Sequence, residues 1–224
     1  MPLPSRESCQ CSEEYAMLEP YYMKDAVEAG CDEAGRGCLA GPVYAAADIL
    51  APGYANAGLN DSKQLSEKRR YQLRTEIERD AVAWAVGVVD NVEIDRINIL
   101  RASILAMHRA LDALQVRPTH IIVDGNRWQP YRTRQDAEPV PATTIVKGDG
   151  KYLSIAAASI LAKTYRDDYM RTIHLEYPQY GWDSNKGYPS RSHREAVRVF
   201  GATKYHRMTF NLLGSAQLEF DFGE

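Results

Sequence analysis

Acidic side chains stand at the ends of three apolar runs in this chain, each beside a glycine. Asp32 and Glu33 lie in "GCDEAGRG", Asp124 in "IIVDGN" and Asp149 in "TIVKGDG". Acids are poor strand formers, so their repetition at the ends of strand-like runs points to a shared purpose. Neighbouring strands of one sheet can bring such ends to a common rim. Carboxylates gathered there would repel one another unless cations sat between them. All-oxygen donor sets select hard ions, Mg²⁺ or Mn²⁺. Two such ions ~4 Å apart are a device for phosphodiester hydrolysis. Each acid taken alone also reads as a turn residue, because Asp-Gly is a common turn dipeptide. Adjacent strand residues point to opposite faces, so Asp32 and Glu33 can serve one site only if the strand ends or bulges there, which Gly35 permits.

The elements that must position these acids follow from the apolar pattern. "AVEAGCDEAGRG" predicts a strand reaching a glycine turn, and "PVYAAADIL" a second strand after Pro42, so the two form a hairpin. Ser66 caps a helix over "SEKRRYQLRTEIERD", and "AVAWAVGVV" has strand length. Leu100, Ile104, Met107, Leu111 and Leu114 repeat at helical spacing, forming the stripe of a core-facing helix that stops before Pro118. "THIIVDGN" and "ATTIVKGDG" are strands ending in turns, and "SIAAASILAKTYRDDYMRTIHLEY" is a long helix closed by Pro178. Ser192 and Glu195 match a capping box opening "HREAVRVF". Strands alternating with helices predict an α/β domain with a mixed sheet. After about Tyr177 a smaller helical extension follows.

With 224 residues, 45% hydrophobic and 25% charged, the chain can bury one sizeable core. No stretch approaches ~18 consecutive apolar residues, so no membrane span is expected. The N-terminus lacks the apolar core of a signal peptide, and the expected compartment is the cytoplasm. The four cysteines form no C-x-x-C pair and read as free thiols. Net charge is −3, yet from Lys163 to Arg207 nine Lys/Arg face five Asp/Glu. That basic third could meet a polyanion. It could equally be a solvated helical face. Two nucleotide-loop readings fail. Gly35-x-Gly37-x-x-x-Gly41 has the wrong final spacing and leads into a strand, and "KGDGKY" has Ile145 where a P-loop needs glycine and Tyr152 where it needs Ser/Thr.

Taken together, "CDEAGRGCLAGPVYAAADIL", "DSKQLS", "VDGN", "VKGDGKYLSIAAASILAKTYRD" and "NKGYPSRSHREAV" closely resemble the bacterial ribonuclease HII family, in the family's order, from about Tyr21 to about Leu213. The resemblance implies an RNase H-like fold, a central mixed five-stranded sheet flanked by helices with a small C-terminal helical extension. Residues 1–20, without a counterpart in the family, are expected to be a flexible N-terminal extension, followed by a catalytic domain (21–177), a helical part completing the substrate site (178–213) and an acidic-aromatic tail (214–224). Asp32, Glu33, Asp124 and Asp149 would be the catalytic quartet, holding two Mn²⁺ or Mg²⁺ ions. The expected substrates are RNA–DNA hybrids and duplex DNA containing ribonucleotides, cut 5′ to the ribonucleotide to leave 3′-hydroxyl and 5′-phosphate ends.

In the family, the loop matching Gly35, Arg36 and Gly37 contacts the ribonucleotide and reads its 2′-hydroxyl. Tyr188 resembles the tyrosine that packs on the following sugar. Lys63, Lys147 and Lys186 are expected phosphate contacts, and Ser154 and Ser159 are expected to reach the nucleic-acid backbone. Cys38 departs from the proline common at that position. Gln217 to Phe222, "QLEFDF", resembles a sliding-clamp-binding peptide with Phe at its Leu position. A monomer is expected. A non-catalytic hybrid-binding protein is the alternative, although a lost enzyme would be expected to lose an acid. A small-substrate phosphatase is a further reading, disfavoured by the glycine-arginine loop.

Overall fold

The computed structural model describes residues 18–59, 62–133 and 138–214. Five strands form one mixed sheet in the order β3-β2-β1-β4-β5. Strands β1 (Glu28–Ala34) and β2 (Val43–Ile49) are the expected antiparallel hairpin, and β3 (Ala83–Val89) extends it antiparallel to β2. On the other side β4 (His120–Asp124) and β5 (Ala142–Ile145) run parallel to β1. Helices α1 (Glu67–Asp80) and α4 (Leu153–His174) cover one face, while α2 (Asn91–Ile97) and α3 (Ile99–Asp112) cover the other. Two short helices, α5 (Trp182–Asn185) and α6 (Arg191–Phe200), follow. The α/β architecture is the one expected, and no described helix is long and apolar enough to cross a membrane.

Small residues let the α4 layer lie close on the sheet. Gly30 sits where an added Cβ would stand 2.4 Å from the Ser154 carbonyl carbon, so only glycine admits the start of α4 there. The first half of α4, from Leu153 to Ala162, is buried throughout. A helix apolar on all sides belongs in a core. A third apolar cluster ties the C-terminal part to the end of α4: Met170 and Ile173 pack with Tyr180, Trp182, Ala196, Val197 and Ala40.

One local expectation is corrected. The cap of α6 is Ser190, which accepts from the His193 N–H at 3.1 Å. Ser192 lies inside the first turn, two residues past the cap, and Glu195 pairs with Arg198 instead. Helix α2 was not foreseen, because "NVEIDRI" is too short to show a helical period. At the end of the segment 1–20, Glu19 is docked. Its N–H donates to Lys151 at 2.7 Å, and its carbonyl accepts from Leu153 at 2.9 Å.

Asp48 is an oddity of the core. Strand alternation puts it beside Ala46 on the α4 face, cross-strand from Gly30. It is fully buried, and neither carboxyl oxygen finds a partner among the described residues. Burial pushes its pKa well above the ordinary value.

Candidate active site

The last parallel pair between β1 and β4 is Cys31 with Val123. One step further, Asp32 and Asp124 stand side by side on the α4 face. The expectation that β1 ends or bulges at Asp32 is not met, since pairing with β2 continues to Ala34. What ends is β4, and this opens the edge of β1. Glu33, nominally on the α3 face, reaches around that edge. It lines the main cleft with Asp32 and Asp124, and also a smaller cavity bounded by Leu100, Ser103, Ile104 and Met107. Asp149 follows β5 in a tight turn whose Gly148 N–H donates to Asp124 Oδ1 at 2.7 Å. That bond ties the third acid to the turn carrying the fourth.

The carboxylates load one another. Asp32 is pushed well above the ordinary carboxylate range by burial, then by the charges of Glu33 and Asp124. A Ser159 hydroxyl and the Glu33 N–H, 2.7 Å from Oδ1, oppose the shift. Burial raises Glu33, and Arg36, 3.1 Å away, holds it back. Burial raises Asp124, and the negative charge of Asp149 adds to it. Lys63 lies 3.2 Å from Asp149. Among the described residues no three acids, histidines or cysteines close on a metal-sized point. The donor set nonetheless fits hard divalent ions. It is all carboxylate, largely buried and self-repelling, with Lys63 and Arg36 supplying only part of the opposing charge.

The cleft, about 240 Å³, is lined by Asp32, Glu33, Asp124, the Gly35–Gly37 loop, Lys63, Ser159 and Tyr188, with Lys163, Arg166 and Asp167 along one wall. Gly35 has φ +97°, and an added Cβ would stand 2.0 Å from Arg166 Nε, so backbone conformation and space both demand glycine. A Cβ on Gly37 would meet nothing within 4 Å, so the fold makes no such demand there. Two buried arginines hold this region by backbone carbonyls. Arg166 donates to Pro42, Ala40 and Lys186 at 2.8–3.2 Å. Arg207 donates to Gly35, Arg36 and Gly41 at 2.8–2.9 Å.

Tyr188 stays exposed, and its backbone is anchored from below. His193 Nδ1 lies 2.9 Å from the Tyr188 carbonyl. A carbonyl can only accept, so the proton is on Nδ1. His193 Nε2 is then free to accept from Trp182 Nε1–H at 3.0 Å. His206 Nδ1 accepts from the Thr203 N–H at 2.9 Å, so its own proton sits on Nε2, 3.3 Å from His193 Nε2. Burial and the neighbouring His193 depress His206 to a pKa of about 4, which keeps the pair neutral.

Three expected contacts lie elsewhere. Ser154 is at the far end of β1 in a separate cleft with Tyr21, Met23 and Pro52. Ser159, five residues and ~7.5 Å along the helix, is the serine beside Asp32. Lys186 is buried and turns its ammonium onto the Asp183 carbonyl. Lys147 is exposed beside the Asp149 turn but does not line the cleft. Sequence reasoning missed Arg166 and Arg207, whose partners are backbone atoms and leave no trace in residue type. The clamp-like peptide Gln217–Phe222 lies outside the described residues.

A mixed five-stranded sheet with an acidic rim at the β1–β4 edge defines an RNase H-like nuclease. The ribonuclease HII family model matches residues 29–213. A ribonuclease HII of Bacteroides thetaiotaomicron is 65% identical over 206 residues, covering 92% of this chain and all of the relative. Among solved structures, the ribonuclease H2 of Pyrococcus horikoshii matches with a TM-score of 0.69 at 25% identity, covering 83% of this chain and 94% of that one. A Bst-RNase HIII structure in complex with Mn²⁺ shares the fold, with a TM-score of 0.64 at 19% identity, covering 89% of this chain and 69% of that one. The chain belongs to the ribonuclease HII family, and it is a nuclease of the type II ribonuclease H kind.

Proposed function

We propose that this enzyme hydrolyses the phosphodiester 5′ to ribonucleotides, in RNA–DNA hybrids and at single ribonucleotides in duplex DNA, leaving 3′-hydroxyl and 5′-phosphate ends. The observation that carries this reading is one cleft shared by three carboxylates, Asp32, Glu33 and Asp124, and the Gly35–Gly37 loop. Cutting chemistry and a sugar-reading surface are thus neighbours. Two divalent cations, Mn²⁺ or Mg²⁺, held by Asp32, Glu33, Asp124 and Asp149, would acidify a water for in-line attack and neutralise the leaving 3′-oxygen.

The chain's own residues supply position. The Gly148 N–H and the Glu33 N–H fix one oxygen each of Asp124 and Asp32. Arg36, half exposed, can turn its guanidinium from Glu33 to a phosphate, which it suits by its planar fork. Tyr188 offers its ring to a sugar. Lys63 balances Asp149 and borders the cleft.

The test is an end-labelled DNA duplex carrying one ribonucleotide, incubated with Mn²⁺, Mg²⁺ or EDTA beside an all-DNA control. A metal-dependent nick on the 5′ side of the ribonucleotide, absent from the control, is expected. Tight binding without cutting under every metal would instead support a non-catalytic hybrid-binding protein.

A further inference from the structure

Arg207 is fully buried, sits in no ion pair among the described residues, and spends its guanidinium on three carbonyls of one loop: Gly35, Arg36 and Gly41. Burial lowers its pKa only to about 10, so the group stays charged at neutral pH. Burying a charge is costly unless hydrogen bonds compensate it, and among the described residues its bonds go to backbone acceptors of the β1–β2 connection. Their pattern has a geometric result. In a trans peptide the C=O and the following N–H point in opposite directions. Drawing the Gly35 and Arg36 carbonyls inward to Arg207 therefore turns the Arg36 and Gly37 N–H groups away from it. Neither N–H has a hydrogen-bond partner among the described residues, and both residues line the cleft. Two successive free amides facing one way form a small nest for an oxygen ligand.

We infer that Arg207 is a positioning residue for ribonucleotide discrimination: it aims the Arg36 and Gly37 amides at the sugar-phosphate oxygens of the bound strand. This rests on the proposed reading of the loop as the ribonucleotide contact. Arg207 touches no substrate, and it acts only through the two peptide planes it holds. Lysine would keep the charge and lose the fork, since a single ammonium cannot hold three divergent carbonyls in place.

The experiment measures equilibrium binding of the full chain in Ca²⁺, used in place of Mn²⁺ or Mg²⁺ to suppress cleavage. The probes are a DNA duplex with one ribonucleotide and the same duplex without it. For Arg207→Lys, affinity for the ribonucleotide duplex is expected to fall about tenfold, which corresponds to ~1.4 kcal/mol. Affinity for the all-DNA duplex should stay within about twofold. Parallel losses on both duplexes would mean general damage and would overturn the assignment, as would an unchanged ratio. Arg207→Gln replaces the lysine variant if that one does not fold. If neither folds, Arg207 is a folding residue and the assignment fails. A wild-type protein that binds both duplexes alike would instead sink the underlying reading of the loop, which separates the two failures.

Discussion

Replacing Asp48 should make this protein more stable, and by an amount that grows with pH. The carboxyl is fully buried on a central strand with no hydrogen-bond partner among the described residues. An unpartnered buried polar group costs about 1–3 kcal/mol. Valine is close in size, favours strands and has no polar atom to bury. Asp48→Val should therefore gain about 2 kcal/mol before ionisation is counted. For a chain of this length that is a rise of roughly 4–8 °C in Tm. Ionisation then adds to the difference. Burial raises the folded pKa above the unfolded value of about 3.9. Below ~3.9 both states hold the proton, and the group contributes no pH dependence. Above it the unfolded chain releases the proton while the folded one keeps it. Wild-type stability then falls by ~1.4 kcal/mol per pH unit, until the folded group also ionises. Urea unfolding of wild type and Asp48→Val at half-unit steps from pH 4 to 8 measures this directly. The gap should widen as pH rises, and Asp48→Asn should lose the slope while keeping much of the burial cost. A valine variant no more stable than wild type, or a gap independent of pH, would refute the reasoning and mean that the carboxylate is ionised and compensated.

Asp124→Asn should retain the fold, since the Gly148 N–H still finds an acceptor, but lose at least about a hundredfold in cleavage. Near-normal rates would remove Asp124 from the cutting chemistry. At His193, asparagine places its amide near the Nδ1 position and glutamine near Nε2. Asn should preserve the bond to the Tyr188 carbonyl and keep KM for the ribonucleotide duplex within about threefold, while Gln raises KM with kcat little changed. Identical KM values for the two variants would show that the bond does not steer Tyr188. Alanine at Phe220 and Phe222 should abolish binding of a bacterial sliding clamp in titration calorimetry, and unchanged affinity would end the clamp-peptide reading.

The site was legible where residue type itself carries the signal. Acids at strand ends are costly for a sheet, so Asp32, Glu33, Asp124 and Asp149 stood out, and the glycine-rich turn between two short apolar runs identified the hairpin. The rule of alternation raised the right question about Asp32 and Glu33. The answer lay in where the neighbouring strand stops, which one strand's sequence does not encode. Ser154 and Ser159 look alike on an alanine-rich helix, and only the position of α4 on Gly30 separates them. The S-x-x-E pattern at Ser192 was real as a pattern, but it lost to Ser190, whose extended backbone precedes the first helical residue. Asp48 hid inside an otherwise ordinary strand because burial is a property of the assembled sheet.

The clamp from Arg207 spans 172 positions back to Gly35. During synthesis, then, the ribosome completes every acid of the rim by residue 149 and only much later supplies the side chain that bonds the carbonyls of the neighbouring loop. A nascent or prematurely terminated chain ending before residue 207 would carry the rim acids without those bonds to the loop. On the role inferred for Arg207, selectivity for the ribonucleotide would be the last property the growing polypeptide acquires.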